Sequence, residues 1–145
     1  MTDGNSNGLL RIYRSVLGSG GAKAVQIPAV GGFDNMAVVI VVAGTVAADG
    51  FTSNSFTSAV PVSFNTPSAT LSEEPDLVIV GTFNTQGKTF TLPGSLTSRG
   101  NPTCLPFAAL AVASTTVSSS GASPTYTIGV DGDCKPGVFV VGFAS

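Results

Sequence analysis

The chain contains no histidine and no tryptophan, only two cysteines, and few charges: six Lys and Arg against eight Asp and Glu in 145 residues. Each shortage removes a class of chemistry. Without histidine there is no imidazole general base, no Ser-His-Asp triad and no imidazole metal ligand. Cys104 and Cys134 alone cannot complete a four-ligand structural zinc site. The cations are scattered at Arg11, Arg14, Lys23, Lys88, Arg99 and Lys135, and the net charge is −2. Phosphate contacts need a basic patch, so no nucleic-acid partner is expected. No apolar run approaches the roughly 20 residues of a membrane span, so no membrane partner is expected either.

Other motifs fail on their own terms. Gly18-Ser19-Gly20-Gly21-Ala22-Lys23 resembles a phosphate loop but lacks the terminal Gly-Lys-Ser/Thr, and no helical pattern follows it. Asp131-Gly132-Asp133 lacks the remaining oxygen ligands of a calcium loop and reads as a turn. Glu73-Glu74-Pro75-Asp76 is the one acidic cluster and reads as a solvated loop. Met1 to Gly8 has neither a basic nor an apolar leader region, so no signal peptide is expected. A chain made in the cytosol keeps its thiols reduced, so Cys104 and Cys134 are expected to stay unbridged. No catalytic residue, cofactor or metal ligand is predicted, and the chain is not read as an enzyme.

Strand and turn formers are abundant instead. There are 18 valines and 18 glycines, and only two glutamates and three lysines. Stiff β-branched side chains fit a pleated surface, whereas the surface helix formers are nearly missing. Met36 to Ala43 is apolar on both parities and bounded by Gly31-Gly32 and Gly44. It predicts a central strand covered on both faces, with Val38, Val39, Ile40 and Val41 in the core beside Ile79, Val80, Val140 and Val141. Residues 77–83 and 137–143 predict two further buried strands. Residues 77–83 and 88–92, separated by Asn84-Thr85-Gln86-Gly87, read as a hairpin. Val60, Val62 and Phe64 share one face of a strand, as do Tyr126, Ile128 and Val130. Asp49-Gly50 signals a turn. Phe51 to Phe56 reads as an irregular loop or short edge strand, and 93–103 as a loop. Residues 104–114 fit a short helix opened by Pro106 or a strand; Thr115, Thr116 and Val117 favour the strand.

The spacing predicts an all-β fold, an antiparallel β-sandwich or jelly-roll-like barrel of about 8–10 strands. A flexible N-terminal arm, residues 1–8, precedes a single β domain over 9–145. Leu9, Leu10, Arg11, Ile12, Tyr13 and Arg14 open that domain as a candidate edge strand with an apolar stripe, and are the predicted partner-binding residues. Charge is far below the about 25% of a typical soluble domain. Interface cores are depleted in charge, so much of this surface is expected to be covered by copies or by a partner.

A polar arm from Thr2 to Gly8, a Ser/Thr/Gly-rich β body, few charges, no export signal and the apolar stretch 137–143 together define the profile. In these features the chain resembles small β-rich virion structural proteins of phages, head decoration or cement proteins above all. The resemblance implies a β-rich domain, often trimeric, that sits on the capsid surface and clamps neighbouring major capsid proteins. The competing readings are a carbohydrate-binding or adhesion module and a tail or fibre component. Glycan modules present aromatic platforms, and here Tyr13 and Tyr126 are the only Tyr or Trp residues.

Overall fold

The computed structural model of the protein describes residues 1, 2, 4, 12, 36–41, 47–74, 76–104 and 106–144. These hold eleven strands and no helix: β1 (Ala47–Ser55), β2 (Ser63–Asn65), β3 (Thr70–Leu71), β4 (Asp76–Asn84), β5 (Phe90–Thr91), β6 (Thr97–Gly100), β7 (Thr103–Cys104), β8 (Ala108–Val117), β9 (Gly121–Ala122), β10 (Thr127–Val130) and β11 (Gly137–Ala144). The fold is an all-β sandwich. One layer is a six-stranded antiparallel sheet in the order β1-β11-β4-β8-β6, with β7 also paired to β8. The other layer is built from β2-β10-β5 and the short pair β3-β9.

The three long central strands are apolar on both parities, and both faces of the large sheet are covered. Val78 and Val80 of β4, Ala109, Ala111 and Ala113 of β8, and Val138 and Val140 of β11 point to the small sheets. There they meet Phe64, Leu71, Phe90, Tyr126 and Ile128 in the main core. The alternate residues Ile79, Phe83, Leu110, Val112, Phe139 and Val141 form a second cluster on the outer face. Burying each Val, Leu, Ile or Phe side chain among these contributes about 1.5–3 kcal/mol, so β4, β8 and β11 stabilise the fold from both faces.

Met36 to Val41 does not become the central strand. It has no regular backbone structure and alternates between half-buried and exposed. Met36, Val38 and Ile40 lie on the outer cluster, whereas Val39 and Val41 are 59% and 73% exposed. The segment covers the sheet instead of joining it; its passage near β6 is marked by Gly100, where a Cβ would come within 2.8 Å of Val38 Cγ2. The other four expected core residues, Ile79, Val80, Val140 and Val141, are buried. Ile40→Ala is therefore expected to cost about 1 kcal/mol, against the ~2–5 kcal/mol of a fully buried site. Urea unfolding measures this, and a loss in the upper range would place Ile40 in the core.

The expected hairpin is also absent. β4 pairs with β8 and β11, while β5 pairs with β10 in the other layer. Asn84 holds the crossing: its Oδ1 accepts the backbone N–H groups of Gln86 (2.9 Å) and Lys88 (3.1 Å), and its Nδ2 donates to Lys88 O (2.5 Å). Gly87 sits at φ 65°, where a glycine carries no Cβ penalty. Asp49-Gly50 is a β-bulge inside β1, not a turn. The 93–103 loop contains β6 and the start of β7, and 108–117 is a strand. Of the predicted arm, Met1 packs on the outer cluster, the Ser55 hydroxyl donates to Thr2 O (2.5 Å), and Gly4 N donates to Lys135 O (2.9 Å). These three residues touch the body. Residues 3 and 5–8 lie outside the described residues. Cys104 and Cys134 are not bridged.

Candidate functional site

Of the predicted partner-binding residues, Leu9, Leu10, Arg11, Tyr13 and Arg14 lie outside the described residues. Ile12 is described; it has no strand conformation and is 44% exposed. Val60, Val62 and Phe64, expected on one strand face, separate. Phe64 enters the core, Val60 forms an isolated bridge with Cys134, and Val62 turns into solvent. The Val62 carbonyl accepts the Val130 N–H at 2.8 Å, which ties the backbone down with the side chain outward.

A different apolar surface is present. Among the described residues β1 lies at one end of the large sheet, with β11 as its strand partner. Phe51 lies opposite Val141, so it shares the outer face, yet it is 59% exposed. Val39 and Val41 project from the segment that covers the same face. The outer side of the sandwich thus carries three large apolar side chains in water. Phe51 was legible only as a lone aromatic in the polar run Thr52-Ser53-Asn54, the pattern of an edge strand. Nothing in the apolar run 36–41 distinguishes Val39 and Val41 from buried strand residues.

The polar clusters serve the fold. Asp131 accepts the Thr89 N–H (2.9 Å) and the Thr89 hydroxyl (2.6 Å), which ties the 131–133 turn to the start of β5. The Thr89 hydroxyl and, to a smaller degree, Lys88 hold its carboxyl below the ordinary value. Arg99 Nε donates to Ser114 Oγ at 2.7 Å at the β6 edge. An open groove beside Tyr126 is lined by the hydroxyl residues Ser95, Thr116, Ser118 and Thr125. Burial pushes the Tyr126 phenol up, and its ring is packed in the main core instead of forming a platform. Among the described residues no group of three or more His, Cys, Asp or Glu is placed to hold a metal ion.

The acidic cluster departs most from its sequence reading. Glu73 and Glu74 are exposed, but Asp76 is buried as the first residue of β4. The carboxylate of Asp49 sits beside it and accepts the N–H groups of Ser72 (2.7 Å) and Glu73 (3.0 Å), as well as the Ser72 hydroxyl. Compared with family models, curated proteins and solved structures, the chain matches none.

Proposed function

We infer that this chain is a non-enzymatic virion structural protein, a capsid decoration or cement protein that binds and stabilises the major capsid lattice. It assembles in the host cytoplasm as a homotrimer and sits on the virion surface. The observation that carries this reading is the outer side of the sandwich. Phe51, Val39 and Val41 stand in water there on a chain with only 10% charged residues. Large apolar side chains exposed on one face of a charge-poor surface are a feature of interaction sites. β1, at one end of the large sheet among the described residues, has no lysine to discourage pairing with another chain.

Light scattering on the purified protein and co-sedimentation with empty capsids test the reading. The capsids are assembled from the major capsid protein encoded in the same genome. The expected result is a trimer that co-sediments and raises the melting temperature of the shell. Attachment is expected to survive high salt, because apolar burial is not screened. Phe51→Lys and Ile12→Lys each put a charge at an apolar position, and at least one is expected to weaken attachment by about tenfold or more, equivalent to ~1.4 kcal/mol. A monomer that ignores the lattice but is retained on a glycan column would replace this reading with the adhesion module.

A further inference from the structure

Asp49 and Asp76 meet at one end of the large sheet, and the surrounding strands are shaped around them. Asp49 is the extra residue of the β1 bulge: Ala48 pairs with Phe143 and Gly50 with Gly142, leaving Asp49 between them. A bulge re-aims one side chain, here toward the 72–74 turn. Asp76 has the inner-face parity of Val78 and Val80, and is paired with Ala144 on one side and Val117 on the other. Two facing glycines make the space. A Cβ on Gly142 would lie 2.4 Å from Leu71 Cδ2 and 3.7 Å from Asp76 Oδ2, and a Cβ on Gly50 would lie 2.2 Å from the Thr70 carbonyl oxygen.

Asp76 has 0% of its surface exposed. No donor among the described residues reaches either of its carboxyl oxygens. Among the described residues, the titratable groups that face it are Asp49 from β1 and Glu73 from the turn, both acids. β11 contributes Gly142, Phe143 and Ala144 beside it, and β8 contributes Thr116 and Val117; none of these titrates. Glu74 is exposed. A buried carboxylate with no donor and no cation is costly, and two adjacent carboxyls do not both ionise without large penalty. Asp49 has three donors and keeps the charge. A bond between the two side chains then requires a proton on Asp76.

We propose that Asp76 is held as the neutral acid, and that its proton, donated to the Asp49 carboxylate, latches β4 to the β1 bulge and the 72–74 turn. The latch opens when the proton is lost on raising the pH. The electrostatics agree in direction. Burial first, then Asp49 and Glu73, push the Asp76 carboxyl above its ordinary 3.8. The Ser72 hydroxyl and the Glu73 N–H lower Asp49 to about 2. A group whose folded pKa is raised stabilises the fold below its unfolded pKa, and that contribution disappears as pH rises through the folded pKa. Asp49 has the opposite sign: its contribution is present above 3.8 and lost as pH falls toward 2.

Urea unfolding of the full chain across about pH 2 to 8 reads both limbs. Wild-type stability is expected to rise from the acid end, pass a maximum near the ordinary carboxylate pKa, and fall at higher pH. Each unit by which the folded Asp76 pKa exceeds 3.8 raises the unfolding constant about tenfold on the high-pH limb. Asp76→Asn keeps a donor toward Asp49 without a titrating proton, so its high-pH limb is expected to be flat. A ¹³C titration of the wild-type Asp76 carboxyl gives the same answer without a variant. Superimposable high-pH limbs for wild type and Asp76→Asn, or an Asp76 carboxyl titrating at or below 3.8, would overturn the latch. So would stabilisation at neutral pH by calcium that chelator reverses, which would make the pair a cation site.

Discussion

Deletion of residues 137–145 is expected to abolish cooperative folding. β11 lies between β1 and β4 and is paired along its length with both. Without it, β1 loses its described strand partner and β4 exposes a long edge. Val138 and Val140 leave the main core, and Phe139 and Val141 leave the outer cluster. Four buried side chains at about 1.5–3 kcal/mol each equal most of the about 5–15 kcal/mol by which a domain is stable. The truncated chain should lose its near-ultraviolet circular dichroism and its sigmoidal urea transition, and bind a hydrophobic dye. A truncated chain that still melts in one sharp step would show that the remaining strands close the sandwich alone.

The second large effect is at Phe139. Its ring lies over Gly81, the residue directly opposite on β4, and a Cβ on Gly81 would come within 2.1 Å of Phe139 Cε1. The ring fills the place where a side chain would otherwise stand, and it is buried in the outer cluster. Phe139→Ala should therefore cost about 3–5 kcal/mol, through lost transfer free energy and the cavity left behind. Gly81→Ala should cost about 1–3 kcal/mol, because a rigid ring in a packed cluster has little room to yield. The two changes should not add. With the ring gone, the same Gly81→Ala removes a flexible glycine from a strand, worth about 0.5–1 kcal/mol in the opposite direction. A double-mutant cycle by urea unfolding measures the coupling. Additive costs would show that the ring does not rest on Gly81.

The acid latch and the interface differ in how they could be read from the sequence. Asp76 follows two glutamates and a proline, and that local pattern belongs to a solvated loop. It is buried because β4 begins one residue earlier than its apolar run and is paired there with Ala144 and Val117. The bulge that aims Asp49 is likewise a matter of β1–β11 register. The Asp49-Gly50 dipeptide reads as a turn because glycine suits both devices.

Alternation and β-branched composition alone determined that this chain is all-β. They also located β4, β10 and β11 and the buried residues Ile79, Val80, Val140 and Val141. These features are local, since a strand covered on both faces must be apolar on both parities. Which apolar run takes a place in a ladder is not local. Met36 to Val41 and Val138 to Phe143 are equally apolar, but β1 and β4 flank β11 with backbone partners, and the earlier run covers the finished face with alternate side chains. The same competition placed β4 beside β8 and β11 and sent β5 to the other layer, with the Asn84 side chain bonded to the backbone of the turn between them. Tertiary structure decided these points because backbone pairing and face coverage depend on which partner is free, and residues far apart in the chain settle that.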